Sequence, residues 1–123
     1  TRGIKVIVKV HYVGKRMHLN NPVNFFNYEI CIENQTTDEV QLLQRYWLIK
    51  DALNYDEIVQ GEGVIGKTPI IKPKETFQYT SGCLIQGEAG SMQGYFTFVN
   101  FTTSQLFHVK IPLFKLNIPS IFN

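Results

Sequence analysis

The residues with the clearest potential for chemistry form a glycine-rich segment, residues 61–68. Gly61, Gly63 and Gly66 fit the pattern G-x-G-x-x-G, and the whole segment also fits G-x-x-x-x-G-K-[ST]. Both patterns bind phosphate groups when amides of the loop point at the ligand and a helix begins directly after the loop. The segment therefore raises phosphate or nucleotide binding as a hypothesis, with Lys67 as a point charge beside the loop.

The residues that follow argue against a nucleoside triphosphatase loop. Ile70 and Ile71 stand between Pro69 and Pro73, and Pro73 would break a helix that began here. The sequence instead predicts extended chain. Two interpretations stay open: a structural bend in which glycines permit positive φ or close backbone approach, and a helix-free nest of amides that holds phosphate, pyrophosphate or an acidic side chain.

A second segment of interest is Arg45-Tyr46-Trp47. In a strand Arg45 and Trp47 share one face, and Tyr46 takes the other. Trp47 is expected to anchor a core, as a buried Trp often does in β-sandwiches. The alternative is an exposed Trp and Arg pair of the kind found in binding hot spots. Arg45 is the candidate helper of the glycine-rich segment.

Other reactive side chains form no recognisable site. The histidines have no metal-ligand spacing, no paired carboxylates lie close enough for acid–base work, and no nucleophile motif is present. We therefore predict no catalytic residue, no metal ligand and no cofactor. Cys31 and Cys83 fall in different predicted strands without a CxxC motif, which predicts free thiols in a reducing compartment.

The elements that position these residues are strands. Strand patterns cover residues 4–10, 26–33, 40–49, 57–59, 76–84, 95–101 and 106–113, separated by turn-forming residues, and no helical period with caps appears. Seven or so short strands without helices predict an all-β fold of two packed antiparallel sheets. The expected core consists of inward-facing apolar residues, namely Tyr28, Ile30, Trp47, Phe77, Tyr79, Tyr95 and Phe96.

Composition limits the remaining options. The chain has 123 residues, which predicts a single domain over residues 1–123. A formal net charge of +2 is too small to indicate nucleic acid. No apolar run approaches the ~20 residues of a membrane helix, and the start has no signal-peptide layout, so a cytoplasmic protein is expected.

Several segments, in their order along the chain, resemble the ApaG domain family. They are residues 45–47 and 61–66, then Pro69, Ile71 and Pro73, then residues 77–83, 90–95 and 111–116 with Pro119. The family's glycine pattern maps onto Gly61, Gly63 and Gly66, whereas Lys67 and Thr68 do not belong to it. The match to a triphosphatase loop is therefore expected to be an accident of two residues.

The resemblance implies an immunoglobulin-like or fibronectin type III-like sandwich of about seven to eight strands. Similar bacterial proteins are associated with cobalt and magnesium efflux, and similar eukaryotic domains bind other proteins. We predict a non-enzymatic module for protein–protein recognition. The alternative is phosphate, pyrophosphate or nucleotide binding at the glycine loop, with weak phosphohydrolase activity and a link to divalent cation homeostasis. Edge pairing of two sandwiches would give a homodimer.

Overall fold

The computed structural model describes residues 2–119, and within that range the chain forms strands and no helix. The strands, in chain order, are β1 (Ile4–His18), β2 (Asn21–Asn34), β3 (Val40–Asp51), β4 (Asn54–Glu62), β5 (Ile70–Ile71), β6 (Thr76–Ile85), β7 (Ala89–Asn100) and β8 (Leu106–Asn117).

The strands build two antiparallel sheets. One sheet has three strands in the order β1-β2-β6, and the other has five, in the order β4-β3-β7-β8 with β5 paired to β3. β1 and β8 come together along one side of the sandwich. On the opposite side the sheets end at β4 and β6, whose outer edges pair with no strand of the described chain. The predicted all-β sandwich of two antiparallel sheets is confirmed.

The core lies between the sheets and is centred on Trp47, which is 3% exposed. Its ring meets Phe96 and Phe114 at nearly perpendicular angles, and Tyr28 approaches its edge with ring centroids 5.6 Å apart. Edge-to-face packing of this kind adds stability beyond the burial of apolar area. The expectation that Trp47 anchors the core is therefore confirmed.

One core residue was predicted wrongly. Tyr95 is half-buried on the outer face of the five-stranded sheet, whereas Phe96 is fully buried. Because adjacent residues of a strand point to opposite faces, the two could not both lie in the core. Phe77 is half-buried and packs against the core, and the other expected core residues are buried.

The first hairpin is longer than the apolar pattern indicated. β1 continues eight residues beyond Val10, the last residue of its β-branched run, and pairs with β2 as far as His18. The reversal occurs at Leu19 and Asn20, both with positive φ, so that Pro22 already lies in β2. The distal part of β1 is exposed, and its polar sequence therefore carries little strand periodicity.

Candidate functional site

The glycine-rich segment folds as the end of β4 followed by a tight turn. The Gly63 amide donates to the Leu43 carbonyl at 2.7 Å, and Val64 and Lys67 exchange two backbone hydrogen bonds at 2.8 and 2.9 Å. Between them Ile65 and Gly66 have φ of 44° and 76°. Positive φ at both central residues is the geometry of a type I′ turn, which reverses the chain with the right-handed twist of strands.

Each glycine of the pattern has its own steric role. Gly63 has a φ of 65°, and a Cβ added to it would collide with the Lys67 carbonyl oxygen. Gly61 lies opposite Arg45 in the sheet, where a Cβ would come within 3.2 Å of the arginine Nη1. Gly66 supplies positive φ in open space. These roles match the interpretation of the segment as a structural bend.

The extended chain expected after the loop is confirmed, because Ile70 and Ile71 form β5 and pair with β3. Three amides of the segment, those of Gly63, Val64 and Lys67, already donate to backbone carbonyls. They are therefore not available to an incoming anion while the turn keeps this shape. Phosphate or nucleotide binding by the loop stays a prediction.

Arg45 and the glycine loop are brought together by the structure. The Arg45 Nη1 donates to the carbonyls of Glu62 and Gly63, at 3.0 Å each, so the guanidinium fastens the end of β4. Since Nη1 carries two protons, both are used here. Lys67 is exposed and does not line the cavity into which Arg45 projects.

That cavity is a cleft of about 620 Å³ at the open side of the sandwich, between β4 and β6. We call it the inter-sheet cleft. Trp47, Tyr28 and Met92 line its buried side, and Arg45 lies at the end next to the glycine turn. The polar groups that face it include the side chains of Glu57, Tyr79, Ser81 and Cys83.

Burial raises the pKa of three side chains that line the cleft. The pKa of Tyr79 is raised chiefly by burial, with Tyr28 adding to the rise and Arg45 opposing it. The pKa of Tyr28 is also raised by burial, against a side-chain hydrogen bond with Ser81. Burial and the charge of Glu57 raise the pKa of the Cys83 thiol to about 12. All three groups are therefore protonated at neutral pH and available as hydrogen-bond donors.

One of these donors has no partner. The Tyr79 side chain is only 7% exposed, and its buried hydroxyl makes no hydrogen bond with any described residue. A buried hydroxyl without a partner loses its hydrogen bonds to water without replacement. Tyr28 and Arg45 are close enough to act on its pKa, and all three side chains line the inter-sheet cleft.

The outer face of the five-stranded sheet carries a second feature, which we call the ring row: Tyr46, Tyr95 and His108. Tyr46 stacks on Tyr95 with centroids 4.9 Å apart, and Tyr95 stacks on His108 at 4.4 Å. Leu48 and Ile58 extend this surface towards β4, and Ile58 is 56% exposed. A row of rings on a solvated sheet face provides amphipathic contact area.

The remaining candidates are dispersed. Cys31 and Cys83 are both free and point to opposite faces of the three-stranded sheet, because they fall in opposite phases of paired strands. Among residues 2–119 no three His, Cys, Asp or Glu side chains are close enough to hold a metal ion. The same part of the chain contains no helix of the length and apolarity needed to cross a membrane.

Sequence reasoning missed the polar character of the cleft. Tyr28 and Tyr79 were expected only as core residues, and Glu57 and Cys83 were given no role. A signal was present, because a tyrosine at an inward position of a strand carries a hydroxyl that requires a partner. The sequence could not show that β3 pairs with β4, or that β6 of the other sheet faces them. These two arrangements bring the polar groups into one cleft.

The order of strands in the two sheets defines an immunoglobulin-like or fibronectin type III-like β-sandwich. The family model described as ApaG domain matches residues 15–100. Protein ApaG of Sodalis glossinidius is 47% identical over 118 residues, covering 96% of this chain and 94% of that protein. Protein ApaG of Edwardsiella ictaluri is 40% identical over 121 residues, covering 97% and 96%.

A solved structure agrees with these relatives. The crystal structure of a Bordetella pertussis protein designated ApaA superposes with a TM-score of 0.86 at 32% identity, covering 95% of this chain and 94% of that one. The chain belongs to the ApaG family, as the order of its motifs indicated.

Proposed function

We propose that this chain is a non-enzymatic binding module that recognises another protein through the outer face of its five-stranded sheet. The observation that carries the proposal is the ring row. Tyrosine is among the residues most enriched at the energetic centres of interfaces, because its rigid ring offers apolar area and its hydroxyl a hydrogen bond. Leu48 and Ile58 enlarge the apolar part of this surface.

The arrangement of the rings favours a protein over a nucleic acid. Tyr46 and Tyr95 are nearly parallel, with an angle of 10° between their planes, and His108 continues the stack. The rings therefore cover one another's faces and present their edges outwards. Proteins that bind single-stranded nucleic acid need free ring faces on which bases can stack.

Charge indicates the kind of partner. Lys50 lies on the outer face of β3 and Lys110 pairs with Tyr95 on β8, while Glu62 borders the ring row from β4, so charges of both signs surround it. Charges at the rim of an interface select partners and speed association. We expect a partner surface with apolar side chains at its centre and charges of both signs at its rim.

The absence of an activated nucleophile among the cleft donors supports the non-enzymatic part of the proposal. The raised pKa of Cys83 keeps its sulfur as a thiol near neutral pH, and the thiolate is the nucleophilic form.

Site-specific photo-crosslinking in living cells tests the proposal. A benzophenone amino acid replaces Gln93, which lines a depression beside Tyr46 and Tyr95. The matched control carries the same group at Gln78, exposed on the outer face of the other sheet. We expect one recurrent protein to be crosslinked from Gln93, to be absent from Gln78, and to disappear when Tyr46→Ser and Tyr95→Ser are combined.

Three outcomes would contradict the proposal. The first is equal crosslinking from both faces, and the second is a crosslinked protein that persists in the folded double variant. In the third, the crosslinked species is a second copy of this chain, which would establish a homodimer through the ring row instead. Sedimentation of the purified protein separates that case from recognition of a different protein.

A further inference from the structure

The inter-sheet cleft lies on the opposite face of β3 from the ring row, and the proposed protein interface leaves it unused. It has an apolar side and a polar end. Trp47 and Met92, 3% and 1% exposed, line the apolar side together with the ring of Tyr28. Pockets with this composition, apolar walls and a few convergent polar groups, are typical of small-molecule sites.

The polar end contains donors without acceptors. The Tyr79 hydroxyl makes no hydrogen bond with any residue of the described chain. Arg45 has five N–H donors. Its Nη1 donates to two carbonyls, and no hydrogen bond from its Nε or Nη2 to residues 2–119 is present. Because the Tyr79 hydroxyl is closed to solvent, a small rotation of its side chain would let an acceptor-rich group in the cleft satisfy both side chains.

Charge limits that group to a monoanion. Arg45 is the one arginine or lysine among the residues that line the cleft, and the other ionisable lining residues include the carboxylates of Asp51 and Glu57 and the imidazole of His18. Glu57 faces the same cleft opposite Ile49, four residues along β3 from Arg45, which corresponds to about 13 Å at strand rise. A phosphate carries about two negative charges at neutral pH, so one arginine would leave it undercompensated, whereas a carboxylate matches one guanidinium in charge and shape.

We propose that the inter-sheet cleft binds a small monocarboxylic acid with an apolar body, whose carboxylate accepts hydrogen bonds from Arg45 and the Tyr79 hydroxyl. The apolar body lies along Trp47 and Tyr28. The end of the ligand that approaches Glu57 is uncharged or cationic. The cleft shares no residue with the ring row, so the experiments on carboxylate binding and on protein recognition test the two proposals separately.

Trp47 is the only tryptophan in the chain and lines the cleft, so its fluorescence reports occupancy directly. Cyclohexanecarboxylate and hexanoate are titrated against the purified full chain, because neither absorbs where tryptophan is excited. Cyclohexanecarboxamide serves as the uncharged control of the same shape. We expect a saturable change with the carboxylates and at least about tenfold weaker binding of the amide, since a charge-assisted hydrogen bond is lost.

Two variants locate the binding. Tyr79→Phe removes only the unpartnered hydroxyl and is expected to weaken carboxylate binding about tenfold. Lys67→Gln removes an exposed cation that does not line the cleft, and is expected to bind within about twofold of wild type. Inorganic phosphate, added as a competitor, is expected not to displace the carboxylate.

The proposal is overturned if neither carboxylate changes the fluorescence of the folded protein at millimolar concentration, or if the amide binds as tightly. It is also overturned if Tyr79→Phe binds as wild type does, because the hydroxyl would then be satisfied by trapped water and take no part in recognition.

Discussion

Replacing Tyr79 by Phe should stabilise the protein, which is unusual for the removal of a buried polar atom. In the unfolded chain the hydroxyl is hydrogen-bonded to water, and in the fold it is buried without a partner. A buried donor left unsatisfied costs about 1–3 kcal/mol. Because Phe keeps the ring and its packing, we expect Tyr79→Phe to raise the free energy of unfolding by about 1 kcal/mol, or roughly 4 °C in Tm for a domain of this size.

Tyr28→Phe provides the matched control in the same cleft. Tyr28 is as deeply buried, 5% exposed against 7% for Tyr79, but its hydroxyl has a side-chain hydrogen bond with Ser81. Its removal should cost about 1 kcal/mol. The two variants differ from wild type by the same single atom and are expected to shift stability in opposite directions, so they separate by about 2 kcal/mol.

Urea unfolding at neutral pH, followed by the fluorescence of Trp47, measures both shifts. The slope m should be unchanged, because neither variant alters the surface exposed on unfolding. If Tyr79→Phe is destabilised as much as Tyr28→Phe, the Tyr79 hydroxyl has a partner in solution, such as a trapped water. The reasoning that gives the cleft an available donor would then be refuted.

Three other predictions concern the loop and the thiol. Gly63→Ala should lower the free energy of unfolding by about 3 kcal/mol or more, because the residue has positive φ and its Cβ would collide with a backbone carbonyl. Gly66→Ala has positive φ but open space around it, and should cost about 1–2 kcal/mol. The midpoints of urea unfolding compare the two variants. The pKa of Cys83 is raised from 9.0 to about 12, so above pH 9 the folded state retains a proton that the unfolded state loses. Calorimetry should therefore show that Tm falls above pH 9, and that it falls less steeply in Cys83→Ala. If the loop bound pyrophosphate, the ligand at 100 times its dissociation constant would add about 2.7 kcal/mol of stability, and Lys67→Ala would abolish the gain. Because three loop amides already donate to backbone carbonyls, we expect pyrophosphate to leave Tm unchanged.

Strand alternation made most of the fold predictable. In β6 the inward phase of Phe77, Tyr79 and Ser81 was visible in the sequence, because one side of the strand is buried and the other is wet. The distal half of the first hairpin was not predictable in this way. Residues 15–18 of β1 are exposed on both faces, so nothing in their side chains has to alternate, although Val23 and Asn24 on the paired strand β2 are buried.

The glycine segment shows why a motif alone does not define a site. The match was made by residue types at fixed spacing, but the chemistry depends on where the amides point. Here the chain after Lys67 returns to pair with β3. The amides of Val64 and Lys67 bond within the turn that permits this, and the amide of Gly63 donates to Leu43 on β3. The prolines on either side of Ile70 and Ile71 were the local evidence for that path.

The cleft, by contrast, is assembled from residues far apart in sequence. Arg45 lies on β3 in one sheet, and Tyr79 lies on β6 in the other sheet, 34 residues later in the chain. Both side chains line the cleft between β4 and β6, and this shared cleft appears only in the folded structure. The strand pattern predicted that Tyr79 lies in the core, and its ring is buried there. The hydroxyl is what the core assignment leaves unexplained. A phenylalanine would fill the same space without the cost of desolvating a donor. The proposed carboxylate ligand would accept a hydrogen bond from this hydroxyl beside Arg45 and offset that cost.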